Sequence, residues 1–387
     1  MPMSSKPLSA GSATASSHLA LLAAIVLFAA ITPTILMTAP AVAAQLATQW
    51  SLSPSRIGDL FSAELGAMSL ATLPAFWWLK HADWRRVALL AGLAFIAANL
   101  LSIYATDYST LLALRFCSAL AGGSLMIVCL SSAASTSNPS RVYGLWVMGQ
   151  LVVGAIGLSV LPRLFEHYGL AACYLSLAIL MALFLPLARC FPEGAPAAPT
   201  GADTAPSANK GKIVLGILGI LAFYISLSGV WTFIGAISAA AGIAPEISGE
   251  VLAIATLMGI VGAGCASLIG ERLPRGLLLL AGYGLMVGSV LLLLGQPALA
   301  RLALAALVFK FTWTFILPLV LACLADLDRS GRLMNASNLV IGAGLAIGPA
   351  IAGRLIESSG SYQPLLIGAA ALTFTSLLLI LGCRRGA

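Results

Sequence analysis

Residues 155–169 read AIGLSVLPRLFEHYG, and residues 346–360 read AIGPAIAGRLIESSG. Ala155-Ile156-Gly157, Arg163-Leu164, Glu166 and Gly169 return as Ala346-Ile347-Gly348, Arg354-Leu355, Glu357 and Gly360, at a constant offset of 191 residues (157 to 348, 169 to 360). Arg141 and Arg332 keep that offset. Hydropathy alone cannot hold charged residues in register over such a distance. The chain therefore consists of two related halves, and matching segments of the two run the same way, as in a parallel duplication about an axis along a membrane normal.

The bilayer follows from composition. Of the 387 residues 60% are hydrophobic and 9% charged, against about 25% charged in soluble domains. Apolar runs fall at roughly 19–44, 54–79, 87–105, 109–131, 142–163 and 169–189, and again at roughly 213–238, 248–270, 275–294, 300–323, 334–356 and 362–382. Each is close to the ~20 residues that span a hydrocarbon core. None alternates like a barrel strand, so the expected fold is all-α, with twelve transmembrane helices in two pseudo-symmetric six-helix bundles. The expected boundaries are a disordered N-terminus (1–18), a first bundle (19–189), a linker (190–212), a second bundle (213–383) and a short tail (384–387). The linker sequence FPEGAPAAPTGADTAPSANKGK is too poor in apolar residues to build a core.

Basic residues set the orientation. With the N-terminus in the cytoplasm, the cytoplasmic segments hold Lys6, Lys80, Arg85, Arg86, Arg141, Arg189, Lys210, Lys212, Arg272, Arg275, Arg329, Arg332, Arg384 and Arg385, and the other side keeps Arg56, Arg163, Arg301 and Arg354. The excess predicts both termini inside, in a bacterial cytoplasmic (inner) membrane. The net charge of +7 is scattered through loops and points to lipid headgroups, with no nucleic-acid partner. The seven cysteines (Cys117, Cys129, Cys173, Cys190, Cys265, Cys323, Cys383) form no C-x-x-C pair and the three histidines (His18, His81, His167) show no ligand spacing. Neither disulfide, metal nor cofactor is expected. No nucleophile–base pair and no phosphate loop with its lysine stands out, so the chain is not expected to be an enzyme. Trp50, Trp77, Trp78 and Trp84 lie at span ends and are expected in the lipid-interface belt.

The duplicated six-helix pattern resembles the major facilitator superfamily over nearly the whole chain. Leu79-Lys80-His81-Ala82-Asp83-Trp84-Arg85-Arg86 resembles the family's loop between helices two and three, without its glycines, and Gly270-Glu271-Arg272-Leu273-Pro274-Arg275 is its counterpart in the second half. The resemblance implies a gating latch at Asp83, Arg85, Arg86, Arg272 and Arg275; ordinary positive-inside charge with a capping aspartate accounts for the same residues. Arg115 followed by Gly122-Gly123 resembles the family's helix-four arginine motif. Helix five carries Gly149, Gly154, Gly157 and Pro162, and helix eleven carries Gly342, Gly344, Gly348-Pro349 and Gly353. These small faces suit close packing across the halves, and Gly154, Gly157, Gly344, Gly348 and Pro349 suit a hinge.

Ionisable residues inside spans cost about 2.5–3.5 kcal/mol each on insertion scales and need a reason. Glu64 lies about 15 Å into helix two and Lys310 about 14 Å into helix ten, counted at 1.5 Å per residue; Arg115 is shallower in helix four. The family resemblance implies a central cavity lined by helices one, four, seven and ten. Arg115 and Lys310 would then face one cavity and bind an anionic group, most simply a carboxylate. Glu64 is either the proton-coupling site, since burial and a neighbouring cation act oppositely on its proton affinity, or a permanent partner of Arg115. Tyr224, Trp231, Trp313, Gln150, Asn338, Thr34 and Thr38 are further candidates for lining the substrate site; Tyr224 and Trp231, seven apart, share a helix face. The expected function is secondary active transport by alternating access: a monomer moving a small organic anion with H⁺ as the coupling ion. The alternative is a proton-coupled efflux antiporter for amphipathic compounds; the family resemblance implies a Gly-Pro pair in helix five for such antiporters, and its absence here modestly favours uptake.

Overall fold

Proline divides the first apolar run. Pro33 and Pro40 have no N–H to donate and crowd the carbonyl four residues back. In the computed structural model the run accordingly forms three helices in series: α1 (Ala10–Ile31), the single turn α2 (Thr34–Met37) and α3 (Ala39–Gln49). Pro74 acts likewise on the second run, which breaks at Ala71 into α4 (Pro54–Leu70) and α5 (Thr72–His81). Passages three to five are single helices, α6 (Trp84–Ser102), α7 (Tyr108–Ala134) and α8 (Pro139–Tyr168), and the sixth is α9 (Ala171–Phe184) with a terminal 3₁₀ segment (Leu185–Cys190). The second half supplies α10 (Lys210–Ala240), α11 (Pro245–Ile269), α12 (Arg275–Leu291), α13 (Leu299–Ala325), α14 (Arg332–Ser359) and α15 (Gln363–Arg384).

The structure describes residues 10–194, 210–270, 272–327 and 332–384, with no strand among them. The expected N-terminal segment before residue 10, the middle of the linker and the last three residues of the tail lie outside the described residues. Nine of the described segments are long and apolar enough to cross a membrane, and α12 is a shorter apolar helix. The two proline-broken runs complete six passages in each half. Helix starts follow local chemistry: the side chains of Ser53, Asp83, Asp107 and Asn138 accept from the backbone N–H of Arg56, Arg85, Thr110 and Arg141, satisfying donors that a helix start leaves orphaned. Trp84 departs from the belt expected of it: it is 2% exposed, and its Nε1 donates to the Leu79 carbonyl at 3.1 Å. It plugs the corner between α5 and α6 instead of facing lipid.

The bundles meet along α4 with α14, α8 with α11, and α3 with α10. Helices five and eleven thus pack across the halves, each against the other half's counterpart of helix two. A Cβ on Gly58 would stand 2.3 Å from the Pro349 carbonyl oxygen, and one on Gly353 would stand 2.2 Å from that of Pro54. Gly249, the repeat equivalent of Gly58, approaches the Leu158 carbonyl as closely (2.4 Å). Pro162 cannot donate to that carbonyl, so it is free for close approach by the neighbouring backbone.

The duplicated residues keep matching duties. Gly169 and Gly360 hold φ of 58° and 64° and end α8 and α14, a backbone conformation that penalises a Cβ. Arg163 pairs with Glu250, and Arg354 with Asp59 at 2.7 Å. Asp59 and Glu250 themselves stand 191 residues apart, so one cross-bundle ion pair occurs twice. Both lie at the face opposite the linker, where Glu357 also accepts from the Ser55 N–H at 2.9 Å. Among the described residues no ion pair joins the bundles at the linker face. Among the described residues the cross-bundle ion pairs thus clamp the face opposite the linker.

Candidate functional site

Lys310 is 2% exposed on α13. Its ammonium lies 3.8 Å from the centroid of the Trp231 ring and 4.2 Å from that of Trp313. Trp231 stacks on Phe309, and Trp313 meets both rings edge-on. The spacing explains the box: Phe309, Lys310 and Trp313 share one side of α13, which faces Trp231 of α10. No carboxylate lies within 4.0 Å of Lys310 among the described residues. Aromatic faces attract a cation but leave its hydrogen-bonding capacity unused.

Arg115 sits elsewhere, wholly within the first bundle. Both terminal nitrogens donate to Asn99 Oδ1 at 3.0 Å, the guanidinium lies 4.5 Å over the Tyr174 ring, and Nε stands 3.8 Å from Glu64 Oε1. Asn99 in turn donates to Ser118 and to the Phe95 carbonyl, and Cys173 is close by. Glu64 is 6% exposed and Arg115 1%, so this is a buried ion pair whose guanidinium is oriented by the Asn99 amide oxygen. Among the described residues Arg115 Nε and the Thr32 hydroxyl have no hydrogen-bond partner. Thr32, Glu64 and Ser118 line a small cavity with Pro33, Ile35 and Leu36. The two cations that the sequence places together have separate partners, one per bundle.

Between them runs the broken passage one. Pro33 leaves the Ala29 carbonyl without its helical donor, and Gln150 Nε2 takes it at 3.0 Å. Pro40 does the same to the Leu36 carbonyl, and Trp231 Nε1 takes it at 2.8 Å across the bundle interface. Two residues singled out as substrate contacts thus have donors committed to proline-orphaned carbonyls. Thr34 and Thr38 donate to the Ala30 and Thr34 carbonyls of their own run, which leaves only their acceptor capacity. Tyr224 is buried beside the Gly344 backbone, and Asn338 is exposed. Gly154 and Gly157 receive Met37 and Thr38; Gly344 and Gly348 receive Tyr224 and Ser228; Pro349 receives Gly58.

The residues expected at the latch stand as follows. Asp83 caps α6 and pairs with Arg86 at 3.4 Å on the same turn. Arg85 reaches the end of the sixth passage, donating to Glu193 and to the Phe191 carbonyl. Arg275 pairs with Asp326 at 2.6 Å, and Arg272 is exposed. Each pair stays within its own bundle. Sequence reasoning missed Asn99, which orients Arg115; a lone Asn inside an apolar helix is the signal that could have found it. It also missed Asp59 and Glu250, although both obey the 191-residue offset.

A second cavity, of about 620 Å³, opens between the bundles at the clamped face, lined by parts of α3, α8, α10 and α11 with Glu166 and Glu246 at its wall. Two six-passage bundles, clamped at one face and enclosing buried charges, define a multi-pass membrane transporter. The chain belongs to the Major Facilitator Superfamily, whose model matches residues 19–329. Its backbone is similar to that of the nucleoside transporter NupG, with a TM-score of 0.76 at 12% identity over 96% of this chain and 100% of that one. It is also similar to a D-xylose-proton symporter, with a TM-score of 0.75 at 14% identity over 96% and 97% of the two chains. A bacterial homolog of the human lysosomal transporter Spinster, in an inward-facing and occupied conformation, gives 0.71 at 14% identity over 99% and 98%. At such identities the likeness shows the fold. The family's activity is secondary transport.

Proposed function

We propose that this transporter carries a small organic anion, with a carboxylate as the recognised group, by symport with a proton. The observation that carries the proposal is Lys310: a buried ammonium in an aromatic box beside the bundle interface, with no anionic partner among the described residues. An unpaired charge costs several kcal/mol to bury, and a carboxylate arriving from the interface would supply the missing partner while the rings accommodate its apolar body.

Glu64 is proposed as the proton site, with Arg115 as its fixed counter-charge. The pair is buried, and the Nε–Oε1 separation of 3.8 Å exceeds hydrogen-bond length, so the carboxylate is held electrostatically yet retains room to accept a proton. Asp59–Arg354 and Glu250–Arg163 would close the external face while the interface is open to the cytoplasm.

The test is uptake by proteoliposomes offered a panel of mono- and dicarboxylates, with and without an inward proton gradient. The expected result is gradient-dependent accumulation of at least one carboxylate, lost in Lys310→Ala. Uptake that Lys310→Ala leaves intact removes the anion site. Extrusion of amphipathic compounds without carboxylate uptake replaces the proposal with the efflux alternative.

A further inference from the structure

The proposed anion site lies in the second bundle and the proposed proton site in the first. We infer that Trp231 and the one-turn helix α2 couple them, Trp231 acting as a positioning residue through its indole N–H. The inference rests on the symport proposed above.

The geometry has three links. First, the Trp231 ring forms one wall of the box around Lys310, 3.8 Å from its ammonium. A ligand that engages Lys310 must act on this wall. Second, Trp231 Nε1 donates to the Leu36 carbonyl at 2.8 Å, with both groups buried. That acceptor exists because Pro40 cannot donate to it, and the indole has no other donor with which to replace the bond. Third, α2 is a separate unit of four residues bounded by Pro33 and Thr38, and Ile35 and Leu36 line the cavity that Thr32 and Glu64 also line. A shift of Trp231 therefore pulls on a turn that walls the carboxylate's cavity.

The turn is tied to its flanks as one unit. Thr34 and Thr38 donate their hydroxyls to backbone carbonyls four residues back, holding the bends at either end. Met37 rests on Gly154 and Thr38 on Gly157, where a Cβ would come within 2.6 Å of each, so these side chains seat directly against the α8 backbone. Polar groups facing Glu64 from the neighbouring helices are Arg115 and Ser118 of α7, Asn99 of α6, and Cys173 and Tyr174 of α9. These helices belong to the first bundle; from the second bundle, α14 packs along the backbone of α4, and Trp231 is the residue that joins the box around Lys310 to α2.

Trp231→Phe tests this directly, because it keeps a ring over Lys310 and deletes the N–H. For one proton per monoanion, a gradient of about one pH unit drives up to about tenfold accumulation. Wild type should approach that limit. Trp231→Phe also alters a wall of the box, so its accumulation should fall further than its counterflow of the same carboxylate. Pro40→Ala leaves every residue of the box in place but restores a helical donor to the Leu36 carbonyl; it should retain equilibrium counterflow while gradient-driven accumulation falls to near unity. Full accumulation by Trp231→Phe overturns the inference. So does parallel loss of counterflow and accumulation in both variants when each elutes as a folded, monodisperse protein, since Trp231 would then be a binding or structural residue. Failure of the wild type to accumulate any carboxylate overturns the symport itself, and the coupling role with it.

Discussion

Replacing Lys310 by Met separates a functional lysine from a structural one by the sign of the stability change. The ammonium gains two cation–π contacts, each worth about 2 kcal/mol when desolvated, so about 4 kcal/mol in all. Against this stands the effective cost of burying an ion without a counter-ion, several kcal/mol even after relaxation. Methionine keeps the stem's packing and makes sulfur–aromatic contacts with the same rings, worth about 1 kcal/mol each. The balance favours Met by about 1–3 kcal/mol, a rise of roughly 2–6 °C in the apparent melting temperature in detergent. Transport should move the other way. Loss of a charge-assisted contact to the carboxylate is worth about 1.5–3 kcal/mol, about 10- to 150-fold in kcat/KM. The assay pairs melting with proteoliposome uptake on one preparation. A fall in melting temperature with uptake unchanged refutes the reasoning, because Lys310 would then be holding the helices together.

Arg115→Met should destabilise by about 3–5 kcal/mol, because it strands the buried Glu64 carboxylate; adding Glu64→Gln should recover much of the loss, and thermal melting of the single and double variants measures the coupling. Glu64→Gln alone should keep counterflow but abolish gradient-driven accumulation. Gly58→Ala would place a methyl 2.3 Å from the Pro349 oxygen and must part α4 from α14; spin labels at Ser109 and Gln363 should report a longer separation at the clamped face. The hydrogen bonds from the Thr110 hydroxyl and backbone N–H to Asp107 hold its carboxyl below the usual aspartate range. The cap should therefore act at neutral pH, weaken once the pH falls below the ordinary aspartate value, and vanish below the lowered one. Amide exchange at Thr110 in wild type and Asp107→Ala should converge only at that acidic end.

Residues 155–169 and 346–360 pointed to a duplicated chain, and apolar run lengths pointed to an all-helical membrane fold that twelve passages fit, because the bilayer forces every spanning backbone to satisfy its own hydrogen bonds. The breaks in the first two runs, each read from the sequence as one span, came only with the structure, since Pro162, Pro318 and Pro349 lie inside unbroken helices. Glu64, Arg115 and Lys310 stood out as costly residues in lipid, and a sequence can show that cost without showing who shares it. Only the tertiary structure decided that Arg115 turns into its own bundle toward Asn99, Tyr174 and Glu64, while Lys310 is enclosed by tryptophans. A helix presents several faces, and which neighbour meets each one depends on crossing angles that no local pattern encodes. Likewise, Trp231 and Leu36 are 195 residues apart. Their bond joins a carbonyl freed by local chemistry to a donor that packing alone delivers, and that is why the sequence shows the proline and hides its consequence.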